Sequence, residues 1–273
     1  MSHQPVPGRF ADQVAVVTGA ASGIGAAITR RFVAEGGRVA GGDINAEALA
    51  AVAAELGDAF VGVTGDVTAE GDVEALVDAA VKRFGRIDAG FNVAGASAPA
   101  LIVDMTEQEW DFTVDLCLKG VFFSMKHEAR AMIAQGGGGA IVNVASLNSR
   151  VPMFFGAAYA AAKAGVAMLG QQGALEMAEH GIRVNTVSPG LTATPLVEPM
   201  LAVPAANEAF MAAIPLKRPA TPEDIAATSL FLACDDAGYT TGTNNFVDGG
   251  WEQTAYPDLR PVMAEILENS PEG

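Results

Sequence analysis

Cysteine is nearly absent: the chain has two, Cys117 and Cys234. A disulfide framework is therefore excluded, and the pair lacks metal-ligand spacing. Histidine is as scarce. His3, His127 and His180 lie far apart, so solvated or helix-surface positions are expected and no metal site. Positive charge is also short. Lys and Arg number 16 against 32 Asp and Glu, a formal net charge of −16. Such a surface repels nucleic acid and anionic membranes, and no Lys/Arg cluster offsets it. Its simplest use is solubility. No apolar run reaches membrane-spanning length, because Lys163 and Glu176 interrupt the long Ala-rich stretch. The first ten residues lack a charged start followed by an apolar run, so they do not read as a secretory signal. These absences point to a soluble, reducing, cytoplasmic setting.

Apolar material is plentiful. Half of the 273 residues are hydrophobic, and 31 are glycine. That suits a sizeable core with close helix-on-sheet packing, in one large α/β domain or two small ones. Residues 14–18 form an apolar run without polar alternation, as a strand buried on both faces requires. A glycine-rich turn and a helical pattern follow, and a second strand runs from 38 and ends in Asp43. The alternation continues. Helices are expected at 46–56, 70–84, 107–134, 157–179 and 222–233. Strands are expected at 60–65, 87–94, 140–145, 183–187 and 244–247. Alternation on this scale implies βαβ units and a doubly wound parallel sheet with helices on both faces. Residues 1–11 read as a polar arm, 12–251 as one undivided domain and 252–273 as a tail. The stretch 189–219 carries six of the 14 prolines. It reads as irregular, with one short helix, and its part 190–216 reads as a flap over the site.

A strand, a glycine-rich turn and a helix N-terminus make an anion site. Missing side chains let the backbone approach phosphate, and exposed N–H groups with the helix dipole favour negative charge. Gly19, Ser22, Gly23, Ile24 and Gly25 occupy that turn. Asp43, twenty residues past Gly23, can bind a ribose 2′-hydroxyl and would repel a 2′-phosphate, so NAD is favoured over NADP. The competing role for Asp43 is to cap the helix that begins at Ala46. Tyr159 and Lys163 lie four residues apart on a helical stretch, on one face, with alanines between them. Free tyrosine releases its proton near pH 10. A nearby ammonium favours the phenolate, which would suit proton exchange at neutral pH. Most such pairs in proteins serve packing, so the pair gains weight only from what surrounds it.

The surroundings resemble the short-chain dehydrogenase/reductase family, in its shorter, classical form. Residues 18–25, T-G-A-A-S-G-I-G, resemble the family's T-G-x-x-x-G-x-G. Asp66-Val67 resembles its adenine-contacting pair. Asn92-Val93-Ala94-Gly95 resembles its N-N-A-G segment, with the second asparagine replaced. Ser146 stands thirteen residues before Tyr159, the family interval. Pro189-Gly190, with Thr192 and Thr194, resembles the stretch that grips the nicotinamide end. Asp248-Gly249-Gly250 resembles the C-terminal signature. The resemblance covers residues 10–251, in order.

It implies a Rossmann-type fold, NAD as cofactor and hydride transfer between a secondary alcohol and a ketone. Gly19, Ser22, Gly23, Ile24, Gly25, Asp43, Asp66, Val67, Asn92, Ala94, Gly95, Tyr159, Lys163, Pro189, Gly190, Thr192 and Thr194 would contact the cofactor. Tyr159 would be the general acid/base, and Ser146 would orient the substrate oxygen. Lys163 would bind the nicotinamide ribose and lower the tyrosine pKa. Asn143 reads as structural. A homo-oligomer, commonly a tetramer in the family, is implied as well. Segments 96–103, 147–155 and 191–216 are the candidate pocket walls. Their Met153, Phe154, Phe155, Leu196, Met200 and Leu201 suggest a largely apolar small-molecule alcohol or carbonyl substrate. The chain departs from the family at Cys117-Leu118-Lys119-Gly120, where an asparagine is usual in place of Cys117. In the family that asparagine supports a helix kink, and its backbone carbonyl holds a water of the proton relay. Cysteine keeps the carbonyl and loses the amide. Two other readings remain open: a catalytically weak cofactor-binding protein, and an epimerase or dehydratase on the same scaffold.

Overall fold

The computed structural model describes residues 4–254, 257 and 259–262. In chain order the described elements are β1 (Val14–Thr18), α1 (Gly23–Ala34), β2 (Arg38–Asp43), α2 (Ala46–Leu56), β3 (Phe60–Thr64), α3 (Glu70–Phe84), β4 (Ala89–Asn92), α4 (Glu107–Val114), α5 (Gly120–Gln135) and β5 (Gly139–Val144). Then come α6 (Ala157–Met177), β6 (Ile182–Pro189), α7 (Glu198–Leu201), α8 (Pro204–Ala213), α9 (Pro222–Ala233) and β7 (Asn244–Val247). The strands form one parallel sheet in the order β3-β2-β1-β4-β5-β6-β7. It is doubly wound, with helices on both faces. The order reverses between β1 and β4, the switch point beside which doubly wound sheets bind their ligands at the carboxyl ends of the strands.

The central strands are mostly apolar and buried because helices cover both sides, with Asn92 of β4 and Asn143 of β5 among the buried polar exceptions. All of β1 is buried. On one face Phe10, Ile28, Phe32, Phe60, Ile225 and Leu230 pack together, joining α1 and α9 to the sheet. On the other face Leu76, Val77, Met125, Met132 and Val166 join α3, α5 and α6. Helix starts are locally encoded. Asn45 caps α2, and Thr106 and Thr221 form capping boxes with Glu109 and Asp224.

The structure departs from the sequence reading in three places. The arm does not stay polar to its end: Phe10 is fully buried and stacks on Phe32, and Arg9 pairs with the buried Glu35. The long helix expected at 107–134 is divided by a π-helical turn, Asp115–Lys119. The 189–219 stretch carries two helices, α7 and α8, rather than one. Within the domain as read, Trp251 beyond β7 is buried edge-on against Phe210 of α8, with ring centroids 5.5 Å apart. No described helix is long and apolar enough to cross a membrane.

Candidate active site

The glycine turn is built so that backbone faces the switch point. Gly19 and Gly23 hold φ of 67° and 50°, the left-handed region that glycine enters without strain. Gly25 is required for a different reason. A Cβ there would lie 2.0 Å from the Gly19 carbonyl oxygen, so α1 could not start so close to β1. Gly19 packs against Ala94 beyond β4, and Thr18 Oγ1 accepts from the Val93 and Ala94 N–H groups at 3.0 and 3.3 Å. Thr18, not singled out in the sequence, thus ties the two strands of the switch point together. Gly23 faces the methyl of Thr194, which brings the segment after β6 next to the start of α1.

Asp43 turns to this loop. Its carboxylate accepts from Ala21 N at 3.1 Å and from Asn45 N at 3.0 Å. The α2 cap is Asn45, whose Oδ1 accepts from Ala48 N at 3.0 Å. The capping alternative for Asp43 is therefore excluded. Asp66 makes a local turn, accepting from Thr68 N at 2.8 Å, while its own N–H donates to Asp72 at 2.9 Å. Val67 packs against Gly120. A side-chain-free cradle at a helix N-terminus, with a carboxylate at the end of β2, fits a dinucleotide.

The second half of the site lies across β4, β5 and α6. Lys163 is buried, and its ammonium donates to the Val144 carbonyl at 2.8 Å. The same ammonium lies beside Gly95. Tyr159, half-buried one turn earlier, has its ring centroid 5.7 Å from that nitrogen. Ser146 ends the segment after β5. Its hydroxyl donates to Asn148 Oδ1 at 3.2 Å and accepts from Asn148 N at 3.1 Å. Asn148 in turn donates to the Val151 carbonyl at 2.9 Å, fixing the turn that packs on α6. Asn148 was not anticipated. Cys117 sits in the π-helical turn, fully buried, and its thiol donates to the Ala96 carbonyl at 3.1 Å. The thiol therefore supplies a donor between the π-helical turn and the loop after β4.

The remaining candidates form the far wall. Pro189 ends β6, and the Gly190 N–H donates to the Val247 carbonyl at 3.0 Å. A Cβ on Gly190 would meet Asp248 Cα at 2.8 Å. Asp248 accepts from Gly250 and Glu252 N–H, so the Asp248-Gly249-Gly250 signature is a turn. Thr192 is buried and donates to the Gly190 carbonyl at 3.2 Å. Leu147, Phe210, Ile214 and Trp251 form a small core that joins the Ser146 turn, the flap and the chain beyond β7.

Asn92, expected at the cofactor, points its amide inward, to Glu128 and Asn143. Sequence reading missed Glu128. The available signal was an acid on the stripe Val121, Met125, Met132, the buried face of α5. Glu128 is wholly buried, which pushes its carboxyl up to about 8 against the opposing Asn92 bond.

A family model described as enoyl-(acyl carrier protein) reductase matches residues 19–252. Momilactone A synthase of Oryza sativa subsp. japonica is 44% identical over 249 residues, covering 89% of this chain and 90% of that protein. D-threitol dehydrogenase of Mycolicibacterium smegmatis is 40% identical over 246 residues, covering 89% and 94%. A solved short-chain type dehydrogenase/reductase from Mycobacterium ulcerans superposes with a TM-score of 0.91 at 30% identity, covering 95% of this chain and 97% of that one. Oxidoreductases of this kind use a nicotinamide cofactor, NAD or NADP, and act on small molecules. The match spans the glycine turn, the sheet and the far wall in one piece, and the chain belongs to the short-chain dehydrogenase/reductase family.

Proposed function

We propose that the protein is an NAD-preferring dehydrogenase that interconverts a secondary alcohol and a ketone. One observation carries the reading. Lys163, anchored on Val144, sits beside Gly95 with Tyr159 one turn away, at the strand ends that face the glycine turn. When bound, the nicotinamide accepts or supplies the hydride. The protein's residues do the rest. The glycine turn and α1 hold the pyrophosphate, with Ser22, Ile24 and Ala94 around it. Asp43 holds the adenine-side ribose hydroxyls, and a 2′-phosphate there would meet its negative charge. Asp66 and Val67 border the adenine. Gly95, Pro189, Gly190, Thr192 and Thr194 line the nicotinamide end, and Asn92 supports that end from beneath.

Tyr159 is the general acid/base: it takes the alcohol proton in oxidation and returns it to the oxygen in reduction. Ser146 holds the same oxygen by rotating its hydroxyl away from Asn148. Lys163 holds the nicotinamide ribose and keeps a positive charge near the ring of Tyr159. Exposed Ile102, Phe154 and Leu196 on the candidate pocket walls support an apolar substrate. The two curated relatives are named for different compounds, so neither name carries over. Exposed Phe112 and Phe122 on α4 and α5 offer apolar surface for a homo-oligomer, which sizing in solution would test.

The deciding experiment is turnover with NAD and NADP on a series of secondary alcohols of growing alkyl size, in wild type and Tyr159→Phe. Wild type should favour NAD and the larger alcohols. The variant should lose roughly 100-fold to 10,000-fold in kcat while still binding cofactor. Retention of most activity by Tyr159→Phe would assign the proton transfer elsewhere.

A further inference from the structure

Directly beneath the site, Asn92 and Asn143 stand side by side at paired positions of β4 and β5. Glu128 reaches Asn92 from α5. Asn92 Nδ2 donates to Glu128 Oε2 at 3.1 Å and to Asn143 Oδ1 at 2.9 Å. All three residues are buried. Gly90 makes the room. A Cβ at that position of β4 would lie 2.4 Å from the Glu128 carboxyl carbon, so the acid fills the space a strand side chain would take. The residues that follow the two asparagines belong to the site. Val93, Ala94 and Gly95 follow Asn92. Val144, whose carbonyl holds Lys163, follows Asn143.

We propose that Glu128 is a positioning residue for the reaction, acting through Asn92 on the ends of β4 and β5 and thereby on the seat of Lys163. The proposal rests on the dehydrogenase reading. Glu128 touches neither substrate nor cofactor; it fixes the amide that clamps the two strand ends. The un-ionised acid suits this place. Burial raises its carboxyl to about 8, only the Asn92 bond opposes that, and no charged group contributes. Several charged groups on the elements around it have partners of their own. Glu70 of α3 meets Lys126 and His127 at the surface, Asp72 of α3 accepts from Asp66 N, and Lys163 of α6 bonds Val144. From β4, Gly90 and Asn92 meet Glu128, and Asn143 of β5 accepts from the same Asn92 amide. A carboxylate formed here would be a desolvated charge with one donor, and the clamp would loosen to let water in.

The test compares wild type, Glu128→Gln and Glu128→Ala between about pH 6 and 10. Two quantities are read: NADH affinity by nicotinamide fluorescence, and amide exchange of Val93 and Ala94 in the cofactor-free protein, corrected for intrinsic rates. Glutamine copies the neutral acid without its titration. Wild-type affinity should fall roughly tenfold from pH 8 to 9.5, with faster exchange at both amides, while the Gln variant stays within about twofold. The Ala variant should bind at least about tenfold more weakly at pH 7 and exchange faster there. The same pH dependence in wild type and Gln, or wild-type affinity and exchange in a folded Ala variant, overturns the proposal. Should the Ala variant not fold, the wild type and Gln comparison decides alone. Should no form bind NADH or NADPH, the dehydrogenase reading fails, and the exchange measurement still judges Glu128.

Discussion

Replacing Glu128 with glutamine should change how the fold's stability depends on pH. In the folded protein burial lifts this carboxyl from an ordinary 4.5 to about 8. The unfolded chain releases the same proton near its ordinary value. Between the two, the folded state holds a proton that the unfolded state has lost. Stability from this group is therefore complete below pH 4.5, declines as pH rises and is gone above about pH 8. The slope is about 1.4 kcal/mol per pH unit, so the whole span is worth about 5 kcal/mol. That is a large share of the roughly 5–15 kcal/mol typical of a folded domain. Glutamine keeps the acceptor for Asn92 and does not titrate. Any amide hydrogen it leaves unpaired costs about 1–3 kcal/mol, but that cost is constant in pH. The assay is urea unfolding of both proteins at about pH 5, 6, 7 and 8, followed by tryptophan fluorescence. Other titrating groups cancel in the difference. The Gln variant should gain on wild type by about 1.4 kcal/mol for each pH unit. Parallel stability curves would show that the buried acid does not hold its proton, and the argument from burial would fail.

Three other substitutions probe the site from different sides. Asp43→Ala removes the carboxylate that meets the glycine turn and should narrow the preference for NADH over NADPH by about tenfold, measured by fluorescence titration; an unchanged ratio would locate cofactor choice elsewhere. Gly25→Ala places a methyl against the Gly19 carbonyl and should weaken cofactor binding at least ~100-fold while costing about 1–3 kcal/mol of stability. A variant that binds normally would show that the turn is not the phosphate cradle. Cys117→Asn should change kcat/KM by no more than about tenfold, because either side chain can donate to Ala96. A hundredfold gain would mean that the native thiol leaves the site poorly held.

The parts of the fold that were legible are those set by local chemistry. Strand β1 and helices α2, α3 and α9 begin and end where the sequence placed them, because apolar runs, caps and glycine stops act within a few residues. The glycine turn was legible for the same reason: its glycines answer to backbone conformation and to a neighbour six residues away. Asp43 could be placed at the end of β2. What it bonded could not, since both a helix cap and a cofactor loop lay within reach. The structure sets the carboxylate on the Asn45 and Ala21 amides, the second a contact between strand-end loops that no local pattern encodes.

The illegible parts depend on which residues the fold makes neighbours. Asn92 belongs to a motif that reads as cofactor contact, yet its side chain serves the layer below, because β5 brings Asn143 alongside and α5 brings Glu128. A sequence shows Glu128 as one more acid among 32. Its meaning depends on the missing side chain of Gly90, thirty-eight residues earlier. Cys117 reverses the pattern. The sequence marks it as the sharpest departure from the family, through the loss of an amide. In three dimensions the helix passes through a π-helical turn, and the thiol donates to Ala96 at 3.1 Å. A turn of this kind is held by backbone hydrogen bonding and by packing around a compact buried side chain, and cysteine meets both needs. The departure thus falls on a position where geometry asks for small volume and one donor rather than for an amide.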